Sequence, residues 1–244
     1  MERRLSIFAD RLASHTRLHA EERAILGALT GKVEHLRAHH PIALAGDAAA
    51  SVTLVLEGLC ARVEMPTATK RQITGIYVEG DIPDLYTVFQ PETNASMETL
   101  TSAVIVRIPH DVIRKVMRSH PALTEAFARQ IVFDGAVTAE WLTNVGAREG
   151  RWCLAHLFCE MAVRLGRVVG NSFSFAFPVC QEKLGEACGL SAVHVNRSLM
   201  ALRDSGLMHM KGGGVHVRDW KSLTVAANFT GRYLAPREPI RYLH

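Results

Sequence analysis

The 244-residue chain reads as an α+β protein: an N-terminal antiparallel β-roll with flanking helices, one long helix, then a helical unit closed by a small β-hairpin. Three observations predict this. Residues 41–109 hold several short β-rich runs separated by Gly-Asp and Glu-Gly turns, the spacing of a small roll or barrel. Residues 121–145 carry apolar side chains on more than one face of a single helix. From Arg151 onward the chain has twelve Lys+Arg against six Asp+Glu, whereas the first 150 residues are slightly acidic.

Composition narrows the class. The chain is 48% hydrophobic and 21% charged, which suits packed domains and not disorder. No apolar run approaches the roughly 18 residues of a membrane span. The first residues, MERRLSIFADRLASHTRL, lack the long apolar segment of a secretory signal, so a cytoplasmic location is expected. The cysteines at 60, 153, 159, 180 and 188 are odd in number and scattered, as reduced thiols are. The basic excess after Arg151 points to a polyanion partner for that part.

In chain order, residues 5–40 read as helices, with Leu5, Phe8 and Leu12 on one face and Ile25 and Leu29 on another. SVTLVLEGLCARVEM is two strands broken at Glu57-Gly58, and RQITGIYVEGD and SAVIVRIP are two more, with Gly46-Asp47 and Gly80-Asp81 as turns. Asp111 is placed to cap a helix over VIRKVM, and Pro121 opens the long helix of about 121–145. Its apolar excess predicts one face on the roll and another on a second chain, with Phe127, Ile131, Val137 and Trp141 as the expected contacts. Gly135 weakens that helix by about 1 kcal/mol relative to Ala. Asn144 to Gly150 reads as a hinge between two domains, 1–145 and 146–244. RWCLAHLFCEMAVRL is the next helix, and NSFSFAFP is a strand burying Phe173, Phe175 and Phe177 on one face. Asp219 caps a last short helix, and the basic, aromatic tail GRYLAPREPIRYLH reads as surface.

The stretch LGEACGLSAVHVNRSLMALRDSGL carries the chemistry. A first helix, about 181–188, points Leu184 and Ala187 inward. Gly189 supplies the left-handed residue that ends it, and Ser191 caps a second helix. Val195, Leu199 and Leu202 fall at i, i+4 and i+7 and face the core. Ala192, Val193, His194, Asn196, Arg197 and Met200 are left outside. Small residues at Gly185 and Ala187 let the helices cross closely. This is a helix-turn-helix, and MHMKGGGVHV behind it is a hairpin wing. The second helix is thereby placed to enter a DNA major groove with its N-terminal residues foremost.

With these residues in view, the chain resembles the Crp/Fnr family of bacterial transcription regulators from end to end. The helix-turn-helix resembles the family's C-terminal winged domain, VTLVLEG and VEGDI resemble its cyclic-nucleotide-binding-type roll, and the 121–145 helix lies where the family dimerises. The resemblance implies a homodimer on a near-palindromic duplex site, acting through RNA polymerase, with no enzymatic activity. It also implies a guanine contact for Arg197 and a place beside the DNA backbone for Cys180, where a Ser or Thr cap is usual. Oxidation of a thiol there would oppose binding. Where iron–sulfur members carry a glutamate this chain has Val193, which can only pack, for instance on a thymine methyl. Asn196 is suited to adenine.

Two departures bear on ligands. Cyclic-AMP-binding members carry Gly-Glu and later Arg-Ser in the roll. Here Pro83-Asp84 and Asn94-Ala95 stand in those regions, so cyclic nucleotide is not expected. No cysteine precedes Cys60, so an N-terminal iron–sulfur cluster is not expected either. Cys153 and Cys159 lie about 120° apart on a helix and do not converge on a metal. His35, His39 and His40 read as a solvated helix face. The competing reading, a small-molecule sensor whose DNA domain is vestigial, is opposed by Arg197 and the basic excess.

Overall fold

The computed structural model describes residues 2–14, 16–67 and 69–234; the end of the expected tail, 235–244, and the side chain of Leu5 lie outside the described residues. Two helices, α1 (Glu2–Ala13) and α2 (Ala20–Gly27), lead into seven strands: β1 (Lys32–Leu36), β2 (Pro41–Ala43), β3 (Ser51–Glu57), β4 (Cys60–Thr67), β5 (Lys70–Tyr77), β6 (Ser96–Thr99) and β7 (Ala103–Pro109). A 3-10 turn, Leu85–Val88, lies between β5 and β6. All pairings are antiparallel, in the orders β1-β7-β3 and β2-β6-β4-β5, which form the two walls of a roll. Then come α3 (His110–Ser119), α4 (Pro121–Ala147), α5 (Gly150–Arg164), β8 (Phe173–Ala176), α6 (Gln181–Cys188), α7 (Ala192–Asp204), β9 (Met208–Lys211), β10 (Gly214–Val217) and α8 (Trp220–Ala226). A last 3-10 turn spans Arg232–Leu234.

The roll explains why SVTLVLE does not alternate. Val55 joins Ile42, Cys60, Tyr77, Met97 and Ile105 inside, while Val52, Leu54 and Leu56 pack outward under α1, α2 and α4. A strand covered on both faces is apolar throughout. At the break, Gly58 has φ 87°, and a Cβ there would lie 2.3 Å from the Ser102 carbonyl oxygen, so only glycine fits.

Residues 28–40 are not helical as the periodicity predicted. Gly31 passes so close to β7 that a Cβ would sit 2.5 Å from Val106 Cγ1 and 2.6 Å from Arg107 O. The chain then pairs with β7 as β1, Val33 opposite Val106. His35 is therefore on a strand and His39 in a turn at φ 59°, not on a helix face. Asp111 is not the cap of α3: the helix begins at His110, two residues earlier than that cap would give, with Pro109 at the cap position.

The long helix α4 is continuous through Gly135. Its contacts differ from the expectation. Phe127 is fully buried and stacks on Phe8 at 6.0 Å between ring centroids. Val137 and Trp141 are buried against α5, and the Trp141 indole N–H donates to the Glu160 carboxylate at 3.0 Å. These three cannot meet a second chain without unpacking their own. Ile131 is only partly covered. The outward stripe is Ala128, Val132, Gly135, Ala139, Leu142 and Gly146, with Val132 69% and Leu142 75% exposed. Steps of four and three repeat along it, the spacing of a coiled-coil seam.

The expected hinge shrinks to Arg148 and Glu149, between α4 and α5. Across it the core is continuous: Ala61, Val63, Ile73 and Ile76 of the roll share one cluster with Val137, Leu154, Phe158, Leu184 and Phe177. Cys153 and Cys159 lie in it, and burial pushes the Cys159 thiol well above its ordinary range.

Candidate nucleic-acid interface

The turn between α6 and α7 forms as the local sequence requires. Gly189 takes φ 66° and ψ 28° and its N–H returns to Gly185 O. Gly185 is itself irreplaceable, since a Cβ there would be 2.5 Å from Leu190 O. Ser191 Oγ accepts from His194 N at 3.3 Å and starts α7. Val195 and Leu202 are buried and Leu199 is half-buried, which locks the helix. Ala192, Val193, His194, Asn196, Arg197 and Met200 are all exposed. Among the described residues, the Arg197 guanidinium and the Asn196 amide make no hydrogen bond or ion pair. An unpaired fork of donors on a locked helix is what base-edge recognition uses.

Cys180 is exposed and occupies the cap position of α6, with no hydrogen bond from its side chain to the helix. Behind α7 stands a three-stranded sheet, β8-β10-β9. Its hairpin turns at Gly212 and Gly213, φ 59° and 76°, a pair of left-handed residues that matches strand twist. His209 and His216 face each other across β9 and β10, their rings stacked at 4.6 Å, and Ser174 Oγ lies 2.8 Å from His216 Nδ1. Desolvation, then the neighbouring His216 and the cations Arg218 and Lys211, hold the His209 pKa below its ordinary value. The hairpin is legible in the sequence but this pair is not, because register alone makes the two histidines neighbours.

Nor does the sequence show how α6 is held, since its partners lie far away along the chain. Arg71 and Glu98 of the roll meet Lys183 and Glu186 of α6 in a closed ring of alternating charge. Arg71 lies 2.7 Å from Glu98 and 3.4 Å from Glu186; Lys183 lies 3.1 Å from Glu98 and 3.0 Å from Glu186.

In the roll, Asp84 is buried and accepts from Thr53 N and Thr53 Oγ1, each at 2.7 Å; burial raises its pKa to about 6. Two arginines enter from strands. Arg107 donates to Thr53 Oγ1 and Ile42 O. Arg62 donates to Asp134 at 3.0 Å and Thr138 at 2.7 Å on α4. A cavity of only about 20 Å³ lies between Pro83, Leu85, Tyr86 and the α4 residues Gln130, Ile131 and Asp134. Among the described residues no group of three or more His, Cys, Asp or Glu side chains is placed to hold a metal ion, and no helix is long and apolar enough to cross a membrane.

A roll of the cyclic-nucleotide-binding type joined by a long helix to a winged helix-turn-helix defines a class of ligand-sensing or ligand-independent DNA-binding regulators. Residues 33–120 match the cyclic nucleotide-binding domain family, and residues 154–225 match the Crp-like helix-turn-helix domain family. The chain belongs to the Crp/Fnr family of transcription regulators, DNA-binding proteins with a cyclic-nucleotide-binding-like domain. It is 20% identical over 210 residues to the electron transport regulator A of Shewanella oneidensis, covering 86% of this chain and 84% of that one. It is 18% identical to the anaerobic regulatory protein of Haemophilus influenzae, over 73% of this chain and 70% of that one. Among solved structures, FixK2 from Bradyrhizobium japonicum superposes with a TM-score of 0.71 at 18% identity, over 81% of this chain and 98% of that one. A CRP-family regulator from Thermus thermophilus gives 0.64, also at 18%, over 80% and 96%.

Proposed function

We propose that the protein binds a near-palindromic duplex site as a homodimer, with α7 of each copy in a major groove, and regulates transcription from the cytoplasm through RNA polymerase. The observation that carries this is that Arg197 and Asn196 are exposed, and unpaired among the described residues, on a helix whose other face is locked in the core. The α4 stripe from Ala128 to Gly146 is the dimer seam, and its small residues allow two such helices to approach closely. Two copies so paired would place their α7 helices about 34 Å apart, one turn of DNA.

The reading includes independence from cyclic nucleotide. It is supported by the small space between Pro83–Tyr86 and α4, and by the occupation of Arg62 and Arg107 with protein partners. Arg62 joins roll to long helix directly, through Asp134 and Thr138. The chain has no enzymatic role in this reading.

The test is selection of binding sites from random duplex DNA by the purified protein, without and with cyclic AMP. A two-fold-symmetric motif, unchanged by the nucleotide, is the expected result. Arg197→Ala should flatten preference at one base pair per half-site, a loss of about 1–3 kcal/mol of discrimination. Equal weakening on every sequence would make Arg197 a phosphate contact, and no enriched motif would remove the reading.

A further inference from the structure

On α7 two large apolar side chains face solvent: Val193, 70% exposed, and Met200, 48% exposed. They are seven residues apart, so they share one stripe, offset by only about 20° and separated by about 10 Å along the axis. Arg197 lies between them on one side of the stripe and Asn196 on the other. The centre of the face offered to DNA is therefore apolar at both ends and polar in the middle. Exposed to water alone, that arrangement gains nothing.

We infer that Val193 and Met200 read the 5-methyl groups of two thymines in each half-site. The inference rests on the placement of α7 in the major groove and names what that groove must contain. Of the four bases only thymine presents an apolar group there. Valine has no donor or acceptor in its side chain, and the methionine thioether is at most a weak acceptor. Val193 and Met200 are separated along α7 with Arg197 between them, so they meet two different thymines of the half-site.

The two contacts differ in stiffness. Val193 is β-branched and sits on the first turn, one residue after the start of a helix pinned by Ser191 and Val195, so its methyls are fixed in direction. Met200 borders an open cavity of about 170 Å³ between α7 and the wing, with Asn196, Leu199, Arg203, His209 and Met210 around it. Its unbranched chain has room to shift there. The Val193 position is accordingly the more selective of the two.

The experiment uses the full chain and the operator obtained by selection, with each thymine replaced singly by deoxyuridine. That change deletes one methyl group and leaves every base-pair hydrogen bond and phosphate in place. Two positions per half-site should each lose about threefold to fivefold in affinity, the loss expected for one buried methyl. The first loss should vanish in Val193→Ala and the second in Met200→Ala, while the salt dependence of binding stays that of wild type, because no phosphate contact changes. Equal affinity of wild type for thymine and deoxyuridine operators, or losses that persist in both variants, would overturn the inference. In that case an intact Arg197-dependent guanine preference would leave the proposed function standing. Selection that yields no operator would remove both.

Discussion

Arg164 of α5 donates to Asp81 of the roll at 2.7 Å, with both side chains almost wholly buried. The same guanidinium donates to Glu160 at 3.0 Å, and Glu160 accepts from Trp141 of α4 and from the Tyr233 hydroxyl. Arg11 of α1 pairs with the other Asp81 oxygen at 3.0 Å. One buried network thus joins the N-terminal helix, the roll, the long helix and the DNA-binding domain. The two Asp81 and Glu160 charges hold the Arg164 pKa above its already high ordinary value, despite burial.

Removing one partner of such a network strands the others in a dry interior. Arg164→Ala should therefore destabilise the protein by about 3–5 kcal/mol. Urea unfolding checks this. A midpoint close to wild type would show that water or a rearranged Arg11 replaces the lost charge.

The ring of Arg71, Glu98, Lys183 and Glu186 sets how α6 sits on the roll. Lys183→Glu places three carboxylates around one arginine and should weaken the contact by on the order of 1 kcal/mol or more. The expected signs are faster proteolysis at Arg148 and weaker operator binding. Reversing all four charges, Arg71→Glu, Glu98→Lys, Lys183→Glu and Glu186→Lys, keeps the alternation and should restore both. Equal defects in the single and fourfold variants would mean that the residues act separately.

The dimer seam separates two kinds of aspartate substitution. Val132→Asp and Leu142→Asp lie on the exposed stripe and should give folded monomers with reduced operator affinity. Val137→Asp, at a buried position, should instead unfold the chain, because an unpaired buried carboxylate costs several kcal/mol. Sedimentation together with circular dichroism distinguishes these outcomes. Folded dimers in both stripe variants would refute the seam.

His156 links stability to pH. It is buried between α4 and the C-terminal rings of Phe229 and Tyr233, and its Nε2 lies 3.1 Å from Glu140. Burial, aided by the charge of Arg148 and opposed by Glu140, lowers its pKa to about 4 from an ordinary 6.5. The unfolded chain thus takes up a proton near 6.5 that the folded chain refuses until about 4. This contribution to stability is complete above about 6.5 and is lost as pH falls towards 4. Urea midpoints over that range should fall less steeply in His156→Phe, by about one proton. Identical slopes would show that His156 protonates without strain.

The helix-turn-helix was legible because its determinants are local. A left-handed glycine, a serine cap three residues before the N–H that donates to it, and an apolar i, i+4, i+7 pattern lie within about twenty residues. They state both the turn and the face that turns outward. The long strands of the roll were legible for the same reason, from their β-rich runs and glycine turns. The short β2 and β6 were not, since three or four residues carry no period and form only because neighbours pair with them.

By itself the sequence determined the order of the longer strands and helices from Ser51 onward, the capped turn at Gly189–Ser191, and the residues that α7 leaves outside the core. Only the tertiary structure decided which apolar residues of α4 are covered. Phe127, Val137 and Trp141 are as apolar as Val132 and Leu142, and what distinguishes them is Phe8 and α5 lying over them. Tertiary structure likewise turned residues 32–36 into a strand and brought Lys183 to Glu98 and Arg164 to Asp81. The physical reason is that burial and ion pairing depend on which distant segment covers a residue, and that is a property of the packed chain and not of its local period.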